Sequence, residues 1–128
     1  MYINHIAIYT TNLEATRAFY EKYFGAVAGE KYHNPKKSFT SYFLSFESGC
    51  RLELMHKPTI PDIENKSPEY LGLTHFAMSV GSKSKVDELT EVLRKDGFLV
   101  VGEARTTGDG YYESVVLDPE GNRIEITV

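Results

Sequence analysis

A chain of 128 residues, 41% hydrophobic and 25% charged, has the size and composition of one ordinary globular domain with a real core. Its formal charge of −4, with only the short pairs Lys36-Lys37 and Arg94-Lys95, argues against the basic surface that nucleic acid requires. No apolar run reaches the ~20 residues of a membrane span, Met1–His5 lacks the features of a secretory signal, and the single Cys50 has no internal disulfide partner, so a cytoplasmic protein is expected.

Ile3–Thr10 alternates as a strand does, and Thr11-Asn12-Leu13-Glu14 reads as a capping box. Leu13, Thr16, Phe19, Tyr20, Tyr23 and Phe24 then follow at helical spacing, and Gly25 stops the helix. Strands are predicted near residues 26–33, 38–47 and 51–56, which completes a first module over 1–57. Residues 58–72 carry Pro58, Pro61 and Pro68 and read as a linker. The second module, 73–128, opens with a strand over 74–80 and a capping box at Ser84-Lys85-Val86-Asp87. Val86, Leu89 and Leu93 form its helical stripe, with Gly97 as the stop. Its strands are predicted near 98–105, 111–117 and 123–128. Asp118-Pro119-Glu120-Gly121 between the last two has the residue preferences of a type I turn.

The chain is written twice. His5-Ile6-Ala7-Ile8 returns as His75-Phe76-Ala77-Met78, and Gly49-Cys50-Arg51-Leu52-Glu53-Leu54 returns as Gly121-Asn122-Arg123-Ile124-Glu125-Ile126. From His5 to Glu53 is 48 positions and from His75 to Glu125 is 50, and Gly25 and Gly97 follow their histidines by 20 and 22. Two copies of one βαβββ module in an α+β fold are therefore expected.

Strand parity sorts the side chains into faces. Ile6, Ile8, Leu52 and Leu54 fall on one face of the first module, and Phe76, Met78, Ile124 and Ile126 on one face of the second. His5, Glu53, His75 and Glu125 fall on the opposite faces. If the two sheets pair about a pseudo-twofold, these two imidazoles and two carboxylates line one concavity. Carboxylates there would lose hydration, and a divalent cation removes that cost. Two nitrogen and two oxygen donors leave two open positions in an octahedral shell, a set suited to Ni, Co, Fe, Mn or Zn. Arg51 and Arg123 share parity with the glutamates and are placed in the cavity or at its rim, or else in surface ion pairs. Tyr9 lies on the His5 face. His33 and His56 read as loop and strand-end residues, and Cys50 as an idle thiol in a turn.

These motifs, together with the Phe19-Tyr20 pair and the run Asp118-Pro119-Glu120-Gly121-Asn122-Arg123-Ile124-Glu125, closely resemble the vicinal oxygen chelate superfamily over essentially the whole chain. That superfamily includes glyoxalase I, methylmalonyl-CoA epimerase, fosfomycin resistance proteins and extradiol dioxygenases. The resemblance implies a curved, barrel-like mixed β-sheet with helices outside, one divalent metal per site and a homodimer. The order His5, Glu53, His75, Glu125 is similar to that of the glyoxalase I ligands. By that likeness the metal stabilises an ene-diolate while Glu125, with help from Glu53, moves a carbon-bound proton. The implied reaction converts the hemithioacetal of a 2-oxoaldehyde to a 2-hydroxyacyl thioester, so the partner is a small molecule with vicinal oxygens, such as a thiol adduct. Three departures argue against glutathione as the carrier. Tyr9 stands where an arginine is usual, Lys57 where an asparagine is usual, and Thr107-Gly108-Asp109-Gly110 where a basic loop is usual. The alternatives are another metal-dependent member (an epimerase, a resistance transferase or a dioxygenase) or a non-catalytic protein that binds a small molecule such as an antibiotic.

Overall fold

A computed structural model describes residues 1–62 and 71–128. The chain divides into two compact units, Met1–Lys66 and Ser67–Val128. Of the predicted linker, residues 63–70 lie outside the described residues.

In the first unit, β1 (His5–Tyr9) leads into α1 (Leu13–Phe24), followed by β2 (Val27–Ala28), β3 (Tyr32–Asn34), a 3-10 turn at Pro35–Lys37, β4 (Phe39–Ser45) and β5 (Arg51–His56). The sheet order is β1-β5-β4-β2, with β3 also paired to β4, and β1 runs parallel to β5. The single strand predicted over 26–33 is thus two short strands, each antiparallel to β4. His33 accordingly belongs to strand β3 and not to a loop. Asn34 ends β3 by capping the 3-10 turn, its Oδ1 accepting from the Lys37 N–H.

The second unit keeps the plain βαβββ order. β6 (His75–Ser79), α2 (Lys83–Lys95), β7 (Val100–Thr106), β8 (Tyr112–Leu117) and β9 (Arg123–Thr127) form a sheet in the order β6-β9-β8-β7. β6 is parallel to β9, as β1 is to β5. The strands make two separate mixed sheets, and among the described residues neither closes into a barrel.

Both helices start elsewhere than the capping-box pattern predicts. Asn12, not Thr11, caps α1, accepting from the Ala15 N–H at 3.0 Å. Glu14 turns outward and accepts from Arg17, Lys31 and Tyr42; Lys31 above all holds its carboxyl below the usual carboxylate range. Ser82, not Ser84, caps α2 by accepting from the Lys85 N–H. An amide or hydroxyl one or two residues away serves as well as the expected one, and strand length decides which is in place. Gly25 ends α1 in the left-handed region at φ +63, as its lack of a Cβ allows.

The predicted parity holds in both sheets. α1 packs on β2, β4 and β5, and α2 on β7, β8 and β9. Leu52, Leu54, Ile124 and Ile126 are buried beneath them, while the alternating Glu53 and Glu125 are not. Each fully buried aliphatic side chain contributes roughly 1.5–3 kcal/mol, so reversing either register is strongly opposed. Each unit buries one hydroxyl pair at a different place, Thr10 with Thr16 between the end of β1 and α1, and Thr90 with Ser114 between α2 and β8, both at 2.6 Å. Thr90 was not part of the predicted stripe, yet it is more buried than Leu89, which is. At Gly102 the bulged strand β7 passes so close to β8 that a Cβ would stand 3.0 Å from Val115 Cγ2.

Candidate metal centre

In the first sheet, His5 pairs with Arg51 and Ala7 with Glu53, so His5 and Glu53 are diagonal neighbours on the face away from α1. His5 Nε2 lies 3.9 Å from Glu53 Oε2, within reach of charge but too long for a hydrogen bond. The second sheet repeats this register, with His75 opposite Arg123 and Ala77 opposite Glu125. There His75 Nε2 is 3.2 Å from Glu125 Oε1. In each pair the carboxylate is the more buried member: the Glu53 and Glu125 side chains are 16% and 20% exposed, the rings 40% and 43%. The structure therefore brings the four predicted ligands together two by two. Among the described residues, no three His, Cys, Asp or Glu side chains group closely enough to hold a metal within one cluster.

The donor chemistry of each pair fits a cation. In both histidines Nδ1 is occupied by the side chain just before it, which leaves Nε2 facing the carboxylate. Asn4 Oδ1 lies 2.9 Å from His5 Nδ1, and Thr74 Oγ1 lies 3.1 Å from His75 Nδ1. Partners of this kind orient ligating histidines and set their basicity. Neither Asn4 nor Thr74 was singled out in the sequence, although each stands in the same place relative to its histidine.

Other residues on these faces differ between the units. Phe43 pairs with Glu53 and meets the His5 ring edge-on at 5.3 Å, while the Arg51 guanidinium lies 4.3 Å above the Phe43 ring. Arg51 also donates to Asn4 Oδ1 at 2.8 Å and so braces the face. The corresponding place in the second sheet is Val115, opposite Glu125. Two residues along β8, Glu113 pairs with Thr127 and so shares the face of Glu125. Burial pushes its carboxyl above the usual range; the Glu125 charge adds to this, while Arg105 pulls the other way, Asp109 adds a little and His75 opposes. Glu113 went unnoticed because its relation to Glu125 depends on the β8–β9 register, which spacing alone does not give.

Tyr9 is exposed on the His5 face, as predicted. His56 is turned away: its Nδ1–H donates to the Thr10 carbonyl at 2.9 Å. Cys50 is a half-buried free thiol. In the β7–β8 loop, the Thr107 hydroxyl donates to the Asp109 carboxylate, so the acid predicted there is held in place. Asp118 anchors the β8–β9 turn by accepting from the Glu120 and Asn122 N–H groups, and Gly121 N–H closes the turn on the Asp118 carbonyl.

Residues 2–126 match the family model of the Glyoxalase/Bleomycin resistance protein/Dioxygenase superfamily. The chain belongs to that superfamily. Members bind small molecules, often hold a divalent metal and often dimerise. A curated relative, the uncharacterized protein YqjT of Bacillus subtilis, is 28% identical over 97% of this chain and 96% of its own length. Among solved structures, the trypanothione-dependent glyoxalase I of Leishmania major superposes with a TM-score of 0.78 at 24% identity, over 99% of this chain and 86% of that one. Glyoxalase I of Zea mays gives 0.80 at 22% identity, over 98% of this chain; this chain spans only 44% of the maize protein. These two likenesses speak to the fold. Among the described residues, no helix is long and apolar enough to cross a membrane.

Proposed function

We propose that this protein is a metal-dependent lyase of the glyoxalase I type, with His5, Glu53, His75 and Glu125 as the ligands of one divalent transition metal. The observation that carries this reading is the repeated pair: twice, a histidine Nε2 faces a mostly buried glutamate at the same strand register. One pair supplies two donors, and a four-donor shell with two open positions needs both. The mixed nitrogen and oxygen set favours Ni, Co, Fe, Mn or Zn over Mg or Ca.

A cation so held supplies Lewis-acid stabilisation of charge on two adjacent substrate oxygens. The protein's own residues move the proton. Glu125 accepts it from the carbinol carbon of a hemithioacetal and returns it to the neighbouring carbon, while the hydroxyl proton passes from the first oxygen to the second, giving a 2-hydroxyacyl thioester. Glu53 remains a ligand and shares the proton work. Tyr9 and Asp109 bring no cationic charge, and Lys57 replaces the usual asparagine, at places where glutathione contacts are expected, so turnover with glutathione is weak and a different carrier thiol or a smaller oxygenated substrate is favoured. The protein acts in the cytoplasm as a homodimer that buries at least ~1,000 Å² of surface, which sedimentation at micromolar concentration tests.

The deciding experiment measures metal content in untagged protein, then thioester formation from methylglyoxal premixed with glutathione or with other cellular thiols. One transition-metal ion per chain and turnover with a thiol are expected. Protein that takes up no Ni, Co, Mn or Zn overturns the reading. Metal-loaded protein that is silent with every thiol shifts it to an epimerase, a transferase or a dioxygenase.

A further inference from the structure

The hydrogen bonds around Asn4 determine the protonation of a ring two atoms away. Arg51 Nη2 lies 2.8 Å from one terminal atom of the Asn4 side chain, and His5 Nδ1 lies 2.9 Å from the same atom. A guanidinium carries donors only, so the atom it faces is the amide oxygen and not the NH₂. An amide oxygen accepts and cannot donate. His5 Nδ1 must therefore carry the hydrogen, which in the neutral ring leaves the Nε2 lone pair directed to the Glu53 side. The backbone holds the three residues in register: the Arg51 N–H donates to the Asn4 carbonyl at 3.1 Å, and His5 pairs with Arg51. The guanidinium is itself located by its stacking on Phe43, whose ring also meets His5 edge-on.

Among the described residues, the second unit has no equivalent. Thr74 Oγ1 beside His75 Nδ1 is a hydroxyl, which donates or accepts equally well and so imposes no tautomer. Neutral histidine in water prefers the Nε2–H form, in which Nε2 has no lone pair for a metal. His5 is thus set against its intrinsic preference, whereas His75 is left to choose.

We propose that Asn4, anchored by Arg51, is a positioning residue that locks His5 in the Nδ1–H tautomer and so presents Nε2 as a ready ligand before any metal arrives. The role of Nε2 as ligand rests on the metal-centre reading above; the tautomer does not. Preset ligands need no reorganisation on binding, and loss of such outer partners typically weakens metal affinity about 10–100-fold.

The test uses metal-free protein with ¹⁵N-labelled histidine at mildly alkaline pH, where neutral rings dominate. Long-range ¹H–¹⁵N correlations distinguish the two tautomers, and a His5→Gln variant identifies the His5 signals among those of the four histidines. Wild-type His5 should show a protonated Nδ1 and an unprotonated Nε2. Asn4→Ala and Arg51→Met should move it toward Nε2–H, and Asn4→Asp, which keeps an oxygen acceptor, should restore the native form. Metal titration of the same proteins should give about tenfold weaker affinity for Asn4→Ala and near-native affinity for Asn4→Asp. A wild-type His5 already in the Nε2–H form, or an Asn4→Ala protein with unchanged tautomer or unchanged affinity, overturns the proposal. A wild type with the Nδ1–H form that takes up no metal supports the lock and overturns the metal-centre reading instead.

Discussion

His75 Nε2 stands 3.2 Å from Glu125 Oε1, where the corresponding atoms of His5 and Glu53 are 3.9 Å apart. At 3.2 Å a ring lone pair and a carboxylate oxygen repel each other unless a proton or a cation lies between them, a repulsion that the longer His5–Glu53 separation reduces. In the proposed site, replacing His75 with Ala removes a direct donor and should weaken metal binding by more than the ~10–100-fold typical of an outer-shell loss. Isothermal titration with Ni or Co measures it; an unchanged affinity would remove His75 from the ligand set.

Glutamine at the two carboxylate positions should separate ligand from base. Glu125→Gln keeps an oxygen that can coordinate but cannot take up the substrate proton, and should lower turnover by roughly 10²–10⁴-fold. On the proposed roles, Glu53→Gln removes ligand charge and leaves the base, so its loss in rate should be smaller. Steady-state assays of metal-loaded variants decide the order, and equal losses would count against Glu125 as the principal base.

Metal affinity should fall on acidification. Histidines bind metal through an unprotonated nitrogen and glutamates as carboxylates, so protons compete with the ion. Imidazole ordinarily takes up a proton near pH ~6.5, and affinity should weaken progressively below that point. A titration that is flat from neutral pH to about pH 5 would contradict histidine ligation.

Glu113 provides a separate pH signal in metal-free protein. Burial, followed by the neighbouring Glu125 charge, raises its carboxyl above the usual range. The folded state therefore holds the Glu113 proton more tightly than the unfolded state does, and stability should decline as pH rises from the unfolded to the folded value. Glu113→Gln should flatten that part of the stability profile, and Glu125→Gln should lower the Glu113 midpoint. Carboxyl ¹³C titration follows the second effect directly; a Glu113 signal in the ordinary range would refute both.

The Thr90–Ser114 bond should show a directional asymmetry. Thr90 donates its one hydroxyl hydrogen to the Val86 carbonyl at 2.6 Å, so Ser114 must be the donor to Thr90. Thr90→Val leaves the buried Ser114 hydroxyl without its acceptor and should cost about 1–3 kcal/mol. Ser114→Ala removes the donor but leaves Thr90 bonded to Val86, and should cost less. Urea denaturation of both variants checks the order.

The sequence by itself determined the duplicated module, the places of both helices, the face on which each strand buries its side chains, and the two His/Glu pairs. These depend on period and parity, which are local properties of a chain whose side chains must divide between core and solvent. It did not determine where the helices are capped, because several polar residues near each start can accept the same N–H and only the end of β1 or β6 selects one. Nor did it reveal the break of the 26–33 strand, where Gly29 N–H keeps a bond to the Phe43 carbonyl between two short pairings with β4. Asn4, Arg51, Phe43 and Glu113 acquire their meaning only from cross-strand register. Arg51 is 47 residues from Asn4 in sequence yet bonded to it, and Glu113 reaches the Glu125 face only through its pairing with Thr127. Spacing along one chain carries no information about which residue of another strand lies opposite. Tertiary pairing alone decided that, and with it which atom of Asn4 faces His5.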